Sequence, residues 1–99
     1  MTPIFDPRLI TEATLIVNGH RSQTYGHPKH NFQRIAAGWE QIFNTSISVE
    51  QVALAMIWLK VAREINQHKT DNLIDIIGYT LTLDAVRNNE CDNNSSDGA

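Results

Sequence analysis

The sequence predicts an all-α domain built from four helices. Three segments repeat apolar residues at steps of three and four, which is the spacing of one helix face, and a further segment is apolar on every side. Helix start and stop signals separate them, and no segment alternates apolar and polar residues as a half-buried strand does. The 99 residues are enough for one modest core. We therefore expect one helical domain over residues 1–87 and a disordered, polar and acidic tail over 88–99.

Proline marks the start of each of the first two helices. Asp6 followed by Pro7 is typical of a helix N-terminus and predicts a first helix over about 7–18. Pro28 fits the first turn of a second helix that ends near Phe43. The apolar stripe of this second helix consists of Phe32, Ile35, Ala36, Trp39, Ile42 and Phe43.

The third helix differs from the others because it is apolar on every side. Ser48 and Gln51 have the form of a capping box and predict a helix over about 49–66. One neighbouring face cannot bury its run VALAMIWL, so we expect a homo-oligomer; a central helix wrapped by its own neighbours is the alternative. A fourth helix is expected over about 71–87. Its main buried stripe is expected to be Leu73, Ile76, Ile77, Thr80 and Leu83.

Charge and composition narrow the classes of partner. The net charge of −3 arises in the tail, since removing Glu90, Asp92 and Asp97 from the 11 acidic residues leaves eight, against eight basic ones. A balanced helical domain argues against binding to duplex nucleic acid, which favours a strongly basic face. No apolar run is long enough to cross a membrane. Cys91 is the only cysteine, so we expect a reducing, cytoplasmic setting.

Two charged groups flank the connection between the third and fourth helices. They are Lys60, Arg63, Glu64 and Gln67 on the third helix, and Asp71, Asn72, Asp75 and Tyr79 on the fourth. A short connection makes the two helices antiparallel neighbours, so Lys60 and Arg63 are expected to lie near Asp71 and Asp75. A solvated polar stripe and an internal salt-bridge network are the structural interpretations. A mixed-charge ligand pocket is the functional one.

The segment HRSQTYGHPKHNF, residues 20–32, contains most of the connector 19–27 and the start of the second helix, whose free backbone N–H groups favour anions. Arg21 suits phosphate, Tyr25 could stack on a planar ring or close the core, and His27 is a further ligand candidate. His27 and His30 lack the nearby Cys or acid that a metal site would need. No Ser or Cys stands in a recognisable nucleophile context.

Two segments resemble a known family: ITEATLIVNGHRSQTYGHPKHNFQRIAAGW and VALAMIWLKVAREINQHKTDNLIDIIGY. They are similar to small, mostly phage-encoded proteins of uncharacterised function, a family placed near the all-α, MazG-like nucleoside triphosphate pyrophosphohydrolases. The resemblance covers roughly residues 8–86, and NGHR…YGHP…NF is its most specific part. It implies helical subunits that pair into dimers or tetramers. It also implies a magnesium site built from an ExxE motif on one helix and an ExxD motif on the next.

The sequence departs from both magnesium motifs. Asp75 matches the aspartate of the second motif, but Asn72 stands in the place of its glutamate. Where the first motif has paired glutamates, this chain has Lys60 and Arg63, with Glu64 as the nearby acid. Magnesium needs anionic oxygen ligands, whereas Lys and Arg neutralise phosphate directly. Phosphate binding could therefore persist without hydrolysis.

The leading hypothesis is a non-hydrolytic nucleotide-binding protein that needs no cofactor. Its candidate ligand residues are Arg21, Tyr25, His27, Lys60, Arg63, Asn72, Asp75 and Tyr79. In a phage, and so in the cytoplasm of an infected bacterial host, such a protein could sequester a nucleotide signal of host defence; this extension rests on the resemblance. One alternative is a pyrophosphohydrolase that holds Mg²⁺ with Glu64, Asp71 and Asp75. The other is an oligomeric interaction protein without a small-molecule ligand.

Overall fold

Four α-helices and no strand form the part of the chain that the structure describes, which confirms the all-α prediction. The structure is a computed structural model; it describes the backbone of residues 3–20 and 27–98 and the side chains of residues 3–19 and 27–88. The helices are α1 (Arg8–Leu15), which continues into a π-helical segment (Ile16–His20), α2 (Pro28–Phe43), α3 (Val49–Asn66) and α4 (Thr70–Gly98). None of the described helices is long and apolar enough to span a membrane.

The bounds of α2 and α3 agree with the sequence prediction because local signals fix them. The predicted capping box is present: the Ser48 hydroxyl oxygen accepts from the Gln51 N–H at 3.0 Å, and the Gln51 side chain accepts from the Ser48 N–H at 2.8 Å. At the end of α2, Asn44 adopts a left-handed conformation with φ 54°. Its N–H donates to the Glu40 carbonyl at 2.8 Å, which closes the last turn.

The other two helices differ from their predicted bounds. The structure begins α1 at Arg8 rather than at residue 7, and the Asp6 carboxylate accepts from the Arg8 N–H at 2.9 Å. The predicted end near residue 18 is replaced by the π-helical segment, which continues to His20. The structure extends α4 to Gly98, past the predicted end near residue 87. The predicted disorder of 88–99 concerns mobility in solution and stays a prediction.

The main core lies between α2, α3 and α4. Its buried members are Phe32, Ala36, Val49, Val52, Ala53 and Val86. On another side of α4, α1 packs against it, and Ala13 and Val17 of the α1 segment are buried. The central helix is therefore α4, which contacts each of the other three.

This central position explains why the predicted buried stripe of α4 was wrong in part. The buried positions follow the spacing of four residues through Ile74, Gly78, Thr82 and Val86, whereas Thr80 is exposed. A helix with three neighbours buries more than one face, so a single stripe does not describe it. The third helix shows the opposite behaviour. Within the part of the chain that the structure describes, no segment covers its outer side, and Leu54, Trp58, Leu59 and Ile65 remain exposed.

Candidate functional site

The connection between α3 and α4 is organised by Glu64. Its Oε1 accepts from the Lys69 backbone N–H at 3.0 Å and from the Asn72 side-chain amide at 3.2 Å. Its Oε2 forms a hydrogen bond with Nδ1 of His68. One carboxylate thus joins the last turn of α3, the connecting residues and the first turn of α4.

These contacts lower the pKa of Glu64, and one of the contacting residues, Asn72, is buried. The hydrogen bond with His68, followed by those from Lys69 and Asn72, lowers the pKa of the Glu64 carboxyl below its usual value. Asn72 is buried, and its amide also lies 3.5 Å from the Gln67 carbonyl oxygen. The buried Asn72 side chain therefore stabilises the connection through its hydrogen bonds, and its amide is committed to protein partners.

A hollow of about 470 Å³ lies beside this connection. It is lined by Leu59, Ala62, Arg63, Asn66, Gln67, Lys69 and Asn72. Arg63 and Lys69 are exposed, and neither forms an ion pair with any acid whose side chain the structure describes. The hollow therefore combines two positive charges, polar amides and an apolar wall.

The predicted contact between the charged groups of α3 and α4 is confirmed for one pair. Lys60 Nζ lies 2.8 Å from Asp75 Oδ2, and the two side chains are only 15% and 23% exposed. The side-chain face of α4 that carries Asp75 thus packs toward α3 rather than toward water. Neither partner lines the hollow, so the predicted single pocket is divided between an ion pair and a separate cationic hollow.

The remaining predicted ligand residues lie away from this hollow or outside the described residues. Tyr79 packs against Phe32 in the core, with 6.5 Å between the ring centroids. His27 lies at the N-terminus of α2, where its Nδ1 accepts from the Lys29 N–H at 3.1 Å. Arg21 and Tyr25 lie outside the residues that the structure describes.

The acids of the hydrolase alternative do not suit Mg²⁺ as they are arranged here. Both oxygens of Glu64 already accept hydrogen bonds, and Asp75 is paired with Lys60, while Asp71 is exposed. Within the described part of the chain, no three His, Cys, Asp or Glu side chains form a group that could hold a metal ion. Magnesium requires free anionic oxygens, so these residues do not fit the ion.

Lys69 is the charged residue of the hollow that the sequence prediction missed. It lies in the connection between α3 and α4 and not on a helix face, so helical spacing gave no reason to group it with Arg63. The Glu64 contact to its backbone N–H directs the connection back toward α3. Its position in the sequence offered a signal, because Lys69 follows the predicted end of one helix and precedes the cap of the next. A positive side chain close to a helix C-terminus interacts favourably with the helix dipole.

The same region of the chain is similar to known sequences. A family model described as a domain of unknown function, DUF6378, matches residues 8–87. The chain belongs to the DUF6378 family. This confirms the predicted resemblance to a family of unknown function over nearly the same residues.

Two curated relatives of this DUF6378 chain are phage proteins. The Gene 55 protein of Mycobacterium phage L5 is 38% identical over 81 residues, and that of Mycobacterium phage D29 is 35% identical over 79 residues. The matches cover 80% and 79% of this chain but 52% of each relative, so the chain spans about half their length. No solved structure matches. The MazG-like relationship stays a prediction.

Proposed function

We propose that this DUF6378 protein binds a nucleotide without hydrolysing it, in the hollow at the α3–α4 connection. The observation that carries the proposal is the pair Arg63 and Lys69, both on the hollow and both without an acidic partner among the described side chains. The hollow measures about 470 Å³. Sites for small molecules and cofactors typically measure about 300–1,000 Å³.

Each part of a nucleotide has a matching group in the hollow. The planar guanidinium of Arg63 suits two phosphate oxygens, and Lys69 adds a second positive charge. The side-chain amides of Asn66 and Gln67 offer hydrogen bonds, while Leu59 and Ala62 offer an apolar wall for a base. The proposal uses Lys69 in place of Lys60, because Asp75 already balances the Lys60 charge.

Two considerations favour holding the nucleotide over cleaving it. Glu64 and Asp75 are committed to protein partners, so the magnesium that would activate water has no prepared set of ligands. Both curated relatives are phage proteins, and the resemblance that implies a nucleotide also implies an action on the host. In an infected cell, binding without turnover would sequester a nucleotide signal of host defence.

A panel of nucleotides tests the proposal directly. The purified protein is incubated with mono-, di- and triphosphates and with cyclic nucleotides, with and without Mg²⁺, and both binding and product formation are followed. We expect at least one nucleotide to bind without Mg²⁺ and to be recovered unchanged after heat denaturation of the protein. Turnover that a chelator abolishes and that Asp75→Asn removes would support the hydrolase instead. Binding of no nucleotide would contradict the proposal.

Substitution of the two cations provides the residue-level test. Arg63→Ala and Lys69→Ala should each weaken binding of that nucleotide by about 10-fold or more, because each removes a charge-assisted contact to phosphate. Titration calorimetry measures the effect. The matched control is Arg34→Ala, which removes an exposed cation of α2 outside the hollow and should change the affinity less than about twofold. Equal losses in all three variants would contradict a defined site.

An oligomeric interaction protein is the second candidate function. The observation that favours it is the exposed apolar surface of α3, which includes Leu54, Trp58 and Ile65. Large exposed apolar patches mark interaction sites. The dimers or tetramers that the MazG-like resemblance implies belong to the same proposal, and the two candidate functions are compatible within one molecule.

A further inference from the structure

One half of the circumference of α3 is exposed and mostly apolar, with the uncharged Gln51 and Asn66 as its polar positions. We define the apolar face as the exposed α3 side chains Leu54, Ala55, Trp58, Leu59, Ala62 and Ile65. At 100° per residue these six positions lie within one half-turn of the helix surface. Trp58 lies at its middle and is 70% exposed, and Ile65 near its end is 79% exposed.

The apolar face extends onto α2 across a groove of about 710 Å³. The groove is lined by Trp39, Ile42, Phe43, Thr45, Ile47, Gln51 and Ala55. Ile42 and Phe43 are themselves exposed, so apolar surface continues from the end of α2 along α3. At the other end, Leu59 and Ala62 reach the cationic hollow, so the face connects the two concavities.

The area of this surface matches what one partner contributes to a stable dimer. Taking about 150–250 Å² for a fully exposed large side chain, the exposed parts of its six large side chains amount to roughly 570–950 Å². A standard interface buries about 800 Å² per partner. The six large side chains counted for this area are Ile42, Phe43, Leu54, Trp58, Leu59 and Ile65.

We propose that two copies of the chain pair antiparallel through the apolar face of α3, about a two-fold axis near Trp58. The face carries no charged side chain, so a second copy of the same surface matches it better than a charged partner does. The direction follows from charge. Parallel helices would bring the two Arg63 side chains together, whereas the antiparallel arrangement separates them by roughly 15 Å along the axis and aligns the helix dipoles favourably.

This pairing also affects the cationic hollow. Residues equally distant from Trp58 face one another across the axis, so Gln51 of one copy lies opposite Ile65 of the other. The partner's α2 end, around Phe43, then lies beside the hollow and closes its apolar side. This part rests on the proposed nucleotide site, whereas the pairing itself does not, and the experiments below use no nucleotide.

The mass of the full chain in solution tests the pairing. Sedimentation equilibrium should give twice the 11.2 kDa protomer mass. Trp58→Glu should raise the dimer dissociation constant at least about 100-fold, because it introduces a charge at the centre of the interface. The matched control is Leu15→Glu, which adds the same charge at an exposed apolar position of α1. It should leave the mass unchanged, and circular dichroism should show native helix content in both variants.

Each result of these mass measurements supports or overturns pairing through the apolar face. A wild-type chain that is monomeric at all concentrations overturns the proposal. An assembly whose mass Trp58→Glu does not lower shows that another surface pairs, and this also overturns it. A monomer in which Trp58 is nevertheless shielded from an aqueous fluorescence quencher would show that the chain covers its own face. If nucleotide binding fails while the dimer persists, the functional proposal is wrong and the interface stands.

Cross-linking tests the direction of the helices. In a Cys91→Ser background, a mixture of Gln51→Cys and Ile65→Cys chains should cross-link to one another with a short bifunctional maleimide. Ile65→Cys alone should not cross-link, since its two copies lie roughly 20 Å apart along the axis in the antiparallel pair. Efficient cross-linking of Ile65→Cys to itself would show a parallel pair and would overturn the arrangement.

Discussion

At the scale of single residues, Glu64 connects the parts of the candidate site. It accepts hydrogen bonds from three partners that belong to the connection and to α4, namely His68, Lys69 and Asn72. Charged acceptors make stronger hydrogen bonds than neutral ones. Because Lys69 is held through its backbone, the position of one wall of the hollow depends on this carboxylate.

The lowered pKa of Glu64 predicts a pH dependence of stability. A carboxyl whose folded-state pKa is depressed stabilises the fold above its unfolded-state pKa of about 4.3 and loses this contribution as the pH falls through the folded-state pKa. Glu64→Gln should therefore be less stable than wild type at pH 7, and the difference should shrink in acid. Urea unfolding at several pH values measures it. The exposed control Glu12→Gln should show a smaller difference at pH 7.

Residue contacts were predictable where two helices had to be neighbours. A short connection made α3 and α4 antiparallel, and this was enough to expect Lys60 opposite Asp75. The burial of Asn72 and the inward position of Tyr79 were not predictable in the same way, because they depend on how α4 is rotated between its three neighbours. Helical spacing gives the relative direction of side chains and leaves that rotation undetermined.

At the scale of elements, helix bounds follow local chemistry. The Ser48–Gln51 capping box and the left-handed Asn44 delimit the loop between α2 and α3. Both satisfy backbone groups that helix ends leave without intrahelical partners. The first helix was less predictable, because the change from α- to π-helical geometry at Ile16 leaves no simple mark in the sequence.

Removal of the α3 cap tests the contribution of this element. Ser48→Ala should lower the free energy of unfolding by about 1 kcal/mol, since it removes the acceptor for the Gln51 N–H. Chemical denaturation measures the change. Ser46→Ala, two residues earlier in the same loop, is exposed and should lower it by less than about 0.5 kcal/mol. Equal effects would show that the cap does not stabilise α3.

At the scale of the whole molecule, the helices differ in how much of their surface the other helices cover. The fourth helix is surrounded by the other three, while the apolar face of α3 remains open. The sequence indicated that one neighbouring face does not bury α3, and its exposed side chains agree with this, while the homo-oligomer stays a prediction. Which helix would be central was not predictable, because VALAMIWL is more apolar than any segment of α4 and tertiary packing decided otherwise.

Pairing through the apolar face predicts that thermal stability depends on concentration. When folding is coupled to association, dilution favours the unfolded chains. The Tm of the wild type should therefore rise by roughly 2–4 °C for each tenfold increase in protein concentration. Differential scanning calorimetry measures it, and the Tm of Trp58→Glu should not change with concentration. A wild-type Tm that is independent of concentration would contradict coupled folding and association.

The three hydrogen bonds to Glu64 have a consequence for recognition. They hold the connecting residues in place before any ligand arrives, so the rim of the hollow is preorganised. Binding would then require little loss of backbone entropy, and discrimination between ligands would depend on shape and charge rather than on an induced closure of the loop. If the proposed nucleotide binds there, the affinity gained from this preorganisation should appear mainly as a slower dissociation rate.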